Sequence, residues 1–599
     1  MFCAAGWNRQ SESSTNMNLN VQGSKSITNR ALLCAALAGA SGKRASIIKN
    51  ALLSADTARM IESLHALGVK ILRRGNSLKV FGGKLHAPVK KLFCGNAGTA
   101  VRFLTAVLAT QDFKSVVDGD SRMRQRPQKD LIEALRKLGA NIESKNNCVP
   151  LRIKLPEKTS SNGVFGGKCE LKSNISSQFL SGLLIAAPLA EKDVEIRIWG
   201  DLVSKPYVDL TISILEKFGI KIARDGYKLF KIKAGQKFKP CEFEVEGDAS
   251  SASYFCGISA LTGEKINIKN VPQNSAQADI LSKNLIEKMR GEKNYIYLKP
   301  LGKIDCKNLP DSSMTLAVLA AYAKGKTELR GLSNLRQKEC DRLAALTHEL
   351  KKIGCKVKEL RDGLAITSNP EKLHGAKIET YNDHRMAMCF GMLSVVLPGI
   401  KITNPACVKK TYPNFWKDLA RVKKYLRSKN IVLTGMRGTG KSLIGSRLAR
   451  KFGREFIDTD KYIEKAAKLP ITKIVEKFGW KHFRKLERRA AKKLSTVKNA
   501  VISTGGGMLI PKNNEKLFRK NGRIILLDCP PQILQKRLKK EKNRPSLIGT
   551  NFLQELSEVY KKRHKRYINS ADFILDVLGN NLSSKIAQIL AKAKMWGIM

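Results

Sequence analysis

Six polar loops stand directly before apolar helix-forming runs in the first 430 or so residues, and they carry the side chains that could do chemistry. GSKSITNR supplies Lys25, Ser26 and Arg30. GNAGTAVR supplies Asn96, Gly98 and Thr99, and SRMRQRP adds Arg124 and Arg126 before a helix that Pro127 opens. SNISSQ supplies Ser176, Ser177 and Gln178, GDASSAS is the fourth such loop, and LPDSSM supplies Asp311; between the fifth and sixth loops SNLRQKECDR adds Asn334, Lys338, Glu339 and Arg342. YNDHRM brings Asn382, Asp383, His384 and Arg385 together, and Lys410 follows in VKKTYP. Helix N-termini present free N–H groups and a partial positive charge, so such loops bind anions, and added Lys and Arg strengthen that tendency. Gly98 allows a backbone to approach a ligand closely. If helical, Lys338 and Arg342 share a face at i, i+4. Capping or a surface ion pair accounts for any one of these loops. Together they form a set of phosphate and carboxylate binders with Asp311 and Glu339 as candidate proton-transfer groups.

A second constellation begins at Asn430. NIVLTG reads as a buried strand, GMRGTGKS as a phosphate-cradling loop and LIGSRLARKFG as the helix behind it. This is GxxxxGK[ST] in strand–loop–helix context, in which backbone N–H groups hold phosphates, Lys441 reaches the outer phosphates and Ser442 holds Mg²⁺. Gly438, Thr439 and Gly440 form the cradle. Asp458 and Asp460 follow a second strand in FIDTD, Arg484 lies in FRKLE, and STGGG ends another strand at Gly507. Arg537 and Arg544 sit in KRLKKEKNRPSL, a charged stretch suited to a mobile lid, although solvated arginines would look the same.

The elements that must position these groups recur. The six loops head six copies of one pattern of loop, apolar helix, turn and alternating strand. Gly68, Gly139, Gly219, Gly291 and Gly354 each end a further helix before a strand, at intervals of about 70 residues. Each unit therefore holds two helices and several strands. Six units exceed one core, so two globular halves are expected, with crossovers near residue 20 and at 235–245. Beyond 430, alternating strands and helices predict a doubly wound parallel sheet.

Lys+Arg number 109 against 51 Asp+Glu, a formal net charge of +58. Nucleic acid is one partner this field admits. The absence of a basic tail or an aromatic-interleaved basic run favours lysine spread over every surface helix and loop by compositional bias, and anionic small substrates would also suit this field. The 13 Cys form no CxxC pair and do not cluster with the 7 His, which argues against zinc sites and disulfides and for a reducing compartment. No run reaches the length of a membrane span. Met1–Asn16 lacks a signal-peptide core and is expected to be a disordered leader, with Met17 an alternative start.

From Met17 to Leu426 the sequence closely resembles 5-enolpyruvylshikimate-3-phosphate synthase. GSKSITNR, GNAGTAVR, RMRQRP, SSQFLSGLL, GDLVSKPY, EGDASSASY, PDSSMT, KECDR and YNDHRMAM match that family in order. The resemblance implies an α/β fold of six βαβαββ units in two domains. It implies that Lys25, Ser26, Arg30, Ser176, Ser177, Gln178, Ser204, Tyr207, Asp311, Asn334 and Lys338 hold shikimate 3-phosphate. Lys25, Asn96, Gly98, Arg126, Gln178, Arg342, Arg385 and Lys410 would hold phosphoenolpyruvate. Asp311 would take the proton of the attacking hydroxyl, and Glu339, with Lys25, would serve the methylene carbon. The similar enolpyruvyl transferase acting on a UDP-sugar lacks GSKS and NDHRMAM in these forms. Four departures stand out: the family's first strand is missing or replaced by Met1–Asn16, Gln22 and Phe103 stand where the family usually has proline, and Arg290–Lys303 looks shortened.

Asn430–Val577 resembles shikimate kinase through its P-loop, DTD, FRxxE, TGGG and NRP. The resemblance implies that Asp460, Arg484, Gly506 and Arg563 bind shikimate, with Asp460 at the reacting hydroxyl. Ser442 and Asp458 would hold Mg²⁺, Arg544 would reach the transferring phosphate and Arg537 would stack on adenine. Arg563-His-Lys-Arg-Tyr567 departs from the family's RxPLY, so Arg563 is assigned by position only. Gluconate-type and nucleoside monophosphate kinases do not explain DTD and TGGG together. The expected whole is a cytoplasmic, monomeric, bifunctional enzyme of chorismate synthesis, joined through a 427–429 linker, using ATP and phosphoenolpyruvate and binding neither nucleic acid nor membrane. A basic nucleic-acid-binding protein that has kept the fold is the alternative.

Overall fold

The computed structural model describes residues 17–39, 45–155, 165–172, 176–200, 202–290, 297–538, 552–579 and 581–599, apart from the side chains of 552–554. The expected leader Met1–Asn16, part of the shortened stretch Arg290–Lys303 and the lid residue Arg544 lie outside them.

Two hydrophobic cores share the first 430 residues. One gathers side chains from Ile27 to Val245; the other gathers Met17, Leu19 and Val21 with side chains from Ala252 to Leu426. The chain crosses between them twice. Strand Met17–Leu19 pairs in parallel with Ile266–Ile268 in the second half, and strand Glu242–Glu244 pairs in parallel with Ser46–Lys49 in the first. The crossings are tied to each other: Ser24 N–H donates to Glu246 O at 2.8 Å and Asp248 N–H to Gln22 O at 2.8 Å. A side chain at Gly23 would overlap Asn50 O, so the first crossing needs glycine.

The apolar helix that follows each polar loop is the centre of its unit. All 11 residues of Gly98–Leu108 are buried, as are all 9 of Ser313–Ala321 and all 10 of His384–Leu393. A helix apolar on every face must sit inside, so sheets and amphipathic helices close over it. The strands alternate accordingly, as in Ser46–Lys49 and Leu151–Lys154, one face in and one face out. Among the described residues the first half has three four-stranded sheets and the second has one, with two two-stranded pairs. Four of the five periodic glycines end helices with positive φ: Gly68, Gly139, Gly219 and Gly354, at 84–99°.

Among the described residues, the last 170 positions hold a five-stranded parallel sheet in the order Glu455–Asp458, Ala500–Ser503, Asn430–Thr434, Gly522–Asp528, Phe573–Asp576, with helices on both faces. Helix Phe415–Arg427 leads into it with only Ser428 and Lys429 between. The two parts are in contact. Arg523 donates to Thr262 O at 3.0 Å and lies 2.9 Å from Glu264 Oε1, whose other oxygen is 3.3 Å from Lys429 Nζ. Arg454 donates to the carbonyls of Arg427, Lys429 and Ile598, and Met595 enters the core of the second half. Among the described residues no helix is long and apolar enough to cross a membrane.

Candidate active sites

The polar loops of both halves meet in the cleft between them. Arg342, 1% exposed, divides its guanidinium among three carboxylates: Asp383 Oδ2 at 2.7 Å, Asp311 Oδ1 at 3.0 Å and Glu339 Oε2 at 2.9 Å. Arg385 Nη2 takes the other Asp311 oxygen at 2.7 Å. Lys410 Nζ lies 3.3 Å from Glu339 Oε1 and 3.8 Å from Asp56 Oδ1, and donates to Asn96 O at 2.9 Å. Lys25 Nζ donates to Asp56 Oδ2 at 3.0 Å, and Arg126 Nη1 to Asn96 Oδ1 at 2.9 Å. Lys25, Arg126, Arg342, Arg385 and Lys410 are thus drawn from both halves into one cluster around Asp311 and Glu339.

Local structure explains the aim of these groups. Asp383 caps helix His384–Leu393 through the Arg385 N–H and also holds Arg342, so one carboxylate starts a helix and orients a cation. Asp341 caps helix Arg342–Lys352. A Cβ at Gly98 would stand 3.0 Å from Arg126 Nη2, so this glycine makes room for a guanidinium. Lys338 and Arg342 do not share a helical face: Lys338 is extended, after the short turn Ser333–Gln337, and the helix begins only at Arg342.

Burial raises the Asp311 and Glu339 pKa values, but neighbouring cations win. Arg385 and Arg342 hold Asp311 well below the usual carboxylate range, and Lys410 and Arg342 do the same to Glu339. Burial lowers Lys25, yet Asp56 and Glu339 leave it net raised. Burial pulls Lys338 down to about 8, against the pull of Asp311.

The remaining first-half groups make their own local contacts. Arg30 donates to Thr211 Oγ1 at 2.7 Å and to Ser26 O at 2.9 Å, under Phe103 at 4.9 Å from its ring centre. Ser176 caps helix Ser177–Ala186, and Gln178 Oε1 accepts from Arg102 at 2.7 Å. Ser204 has φ 57°, in the turn before helix Pro206–Lys217, which carries Tyr207. Lys25, Ser26, Tyr207, Asp311 and Arg385 share one tight cavity. Asn334 is buried, and its Oδ1 finds no hydrogen-bond partner among the described residues.

The second site is a cavity of about 820 Å³ at the ends of the parallel strands. Its lining includes Gly438, Gly440, Lys441, Ser442, Asp458, Asp460, Arg484, Gly506, Arg537 and Arg563. Gly438 and Gly440 have φ of 81° and 86°, which turns the loop around its own N–H groups. Thr439 Oγ1 donates to Met436 O at 2.9 Å, and Lys441 Nζ to Gly435 O at 3.0 Å. Ser442 Oγ donates to Asp458 Oδ2 at 2.6 Å. Arg484 pairs with buried Glu487, and Gly507 leaves it the necessary room. Arg563 Nη1 lies 3.5 Å from Gly506 O, which also accepts from Tyr567. Arg537 donates to Val577 O at 2.7 Å.

Residues 10–419 match the family model of EPSP synthase, 3-phosphoshikimate 1-carboxyvinyltransferase. The chain belongs to the EPSP synthase family. The 3-phosphoshikimate 1-carboxyvinyltransferase of Escherichia coli O1:K1 is 42% identical over 426 residues, covering 67% of this chain and 96% of its own length. The enzyme of that name from Salmonella schwarzengrund is 41% identical over the same shares. A solved EPSP synthase from Acinetobacter baumannii, 24% identical, superposes with a TM-score of 0.56 over 68% of this chain and 95% of its own, a likeness of fold. Residues 437–594 match the shikimate kinase family model. The chain is a fusion of the two, a bifunctional shikimate-pathway enzyme.

Within the EPSP synthase half, several residues of the cluster escape sequence reasoning. Asp56 holds Lys25 and Lys410 from the first turn of an amphipathic helix, where an acid reads as an ordinary dipole partner. Arg102 lies within GNAGTAVR but carries no signal separating it from the helix; it is buried and orients Gln178. Arg122 donates to Lys338 O at 3.0 Å across the cleft. Asp279 has no motif at all.

Proposed function

We propose that the kinase domain transfers the γ-phosphoryl of ATP to the 3-hydroxyl of shikimate, and that the transferase half then joins this product to phosphoenolpyruvate. In the kinase, Asp460 orients or deprotonates the shikimate hydroxyl, while Arg484, Gly506 and Arg563 hold the ring substituents. The backbone N–H groups at Gly438–Gly440 and Lys441 take the phosphates. The adjacent Ser442 hydroxyl and Asp458 carboxylate oxygens are hard donors that fit Mg²⁺, which when bound neutralises phosphate charge. Residues 17–426 and 430–599 are the two catalytic units, acting on small molecules.

In the transferase half, Ser26, Arg30, Ser176, Ser177, Ser204, Tyr207, Asn334 and Lys338 hold shikimate 3-phosphate. Arg126, Arg342, Arg385 and Lys410 hold phosphoenolpyruvate. Two polyanions repel, so cations must offset their charge before the hydroxyl can reach the enol carbon. The hydroxyl oxygen bonds to that carbon and loses its proton to Asp311, while the methylene carbon gains a proton. Phosphate then leaves as a proton is removed from the same methyl group. Glu339, ionised beside Lys410, suits the second transfer, and Lys25, held protonated by Asp56, suits the first. An arriving anion competes for Arg342, Arg385 and Lys410, so both carboxylates gain basicity as substrate binds.

The observation that supports this reading is the meeting of five cations from two halves around Asp311 and Glu339. The full chain given shikimate, ATP, Mg²⁺ and phosphoenolpyruvate should release both ADP and phosphate. RNA binding that weakens with salt, without turnover, would overturn it.

A further inference from the structure

Asp279 is 2% exposed and belongs to neither list of substrate contacts, yet it is bound to three elements of the transferase cavity wall. Its Oδ2 accepts from Tyr207 Oη at 2.8 Å and from Ser250 Oγ at 2.6 Å, and its Oδ1 accepts from Ser312 N–H at 2.9 Å. Tyr207 belongs to the first half. Ser250 opens helix Ala249–Thr262 of the second half, and Ser312 follows Asp311. Tyr207, Ser250 and Asp311 line the cavity, with Asp279 behind them.

We infer that Asp279 is a positioning residue: it fixes the Tyr207 hydroxyl as an acceptor facing the cavity, holds the backbone beside Asp311, and joins the two halves across the cleft. An ionised carboxylate only accepts hydrogen bonds, so all three neighbours must donate to it. The phenol proton is therefore committed to Asp279. What Tyr207 presents to a ligand is lone-pair density, which suits a hydroxyl donor and repels a phosphate or carboxylate oxygen. Asp279 in this way sorts the hydroxylated part of a substrate from its anionic part, in a cavity otherwise dominated by cations. Because the carboxylate is in the second half and the phenol in the first, the arrangement exists only while the cleft is closed. The neighbouring Gln277 strengthens the wall, donating to Gly247 O at 2.8 Å and accepting from Ala249 N–H at 3.0 Å at the second crossover.

This rests on Tyr207 contacting shikimate 3-phosphate. The test is steady-state transferase kinetics on the full chain for Asp279→Asn, Tyr207→Phe and the double variant, with ADP release by the kinase domain as a check of integrity. Asn at 279 keeps the shape but turns one acceptor into a donor, reversing the Tyr207 hydrogen bond. Asp279→Asn should raise KM for shikimate 3-phosphate about tenfold, leave KM for phosphoenolpyruvate within about twofold and lower kcat about tenfold. Tyr207→Phe should give the KM increase with a smaller effect on kcat. In the double variant the two KM effects should not multiply, because one hydrogen bond carries both. A KM for shikimate 3-phosphate within twofold of wild type in Asp279→Asn, or multiplying effects in the double variant, overturns the proposal while Tyr207→Phe alone is impaired. A silent Tyr207→Phe overturns the contact assignment and the proposal with it. Asp279→Ser, which removes the carboxylate and leaves room for water, carries the same KM test if the Asn variant does not fold.

Discussion

Lys410 Nζ stands 3.3 Å from Glu339 Oε1 while it donates to the Asn96 carbonyl, in the opposite half, at 2.9 Å. One ammonium therefore polarises a candidate proton-transfer group and spans the cleft. Lys410→Met removes one cation and leaves Glu339 with a single ion-pair partner among those described, Arg342. The transferase kcat/KM for phosphoenolpyruvate should fall about a hundredfold or more. Phosphate release from supplied shikimate 3-phosphate measures it, and an effect under threefold would refute the role.

Lys338 should give the transferase an alkaline limit. Burial brings its pKa to about 8, so it is charged below that pH and neutral above. A neutral lysine does not hold a phosphate, so kcat/KM for shikimate 3-phosphate should decline as pH rises through about 8. Arginine stays charged throughout, so Lys338→Arg should move that decline up by more than about one pH unit. Stability runs the other way. The unfolded chain keeps this proton until about 10.5, so the cost of burying the charge relaxes as pH rises from about 8.

Lys441→Ala should abolish ADP formation. Conversion of supplied shikimate 3-phosphate should persist, since Lys441 donates to the Gly435 and Met436 carbonyls of its own loop and lines the second cavity. Both readings come from one preparation, with shikimate or its 3-phosphate as the starting substrate. Loss of both activities would contradict two separate sites.

Glu264 is the anchor between the two enzymes. It lies just past helix Ala249–Thr262 of the transferase and meets Arg523 at 2.9 Å and Lys429 at 3.3 Å, all three side chains at most 14% exposed. Glu264→Ala leaves two cations facing each other with less compensation, at a cost of about 2–3 kcal/mol. Thermal unfolding should shift to lower temperature. An unchanged melting profile would mean that the contact contributes nothing to holding the domains together.

Much of the local architecture is legible in the chain because it depends on neighbours in sequence. Ser176, Asp341 and Asp383 cap helices through N–H groups two or three residues on, and Gly68, Gly139, Gly219 and Gly354 end helices through their own backbone freedom. The phosphate loop is similarly self-contained, since Gly438, Gly440, Lys441 and Ser442 act within one turn and the helix behind it. Lys338 and Arg342 show the limit: four residues apart, they would share a face only on a continuous helix, and Asp341 starts the helix too late for that.

By itself the sequence determined the motif families, the six helix-heading loops, the phosphate-binding strand–loop–helix and the cations that answer anionic substrates. Only the tertiary structure decided which carboxylates those cations meet. Asp56, Asp279 and Asp383 reach partners dozens of residues away, and Glu264 joins one enzyme to the other. The physical reason is range: caps and turns are settled within a few residues, whereas an ion pair between halves depends on where two cores come to rest against each other.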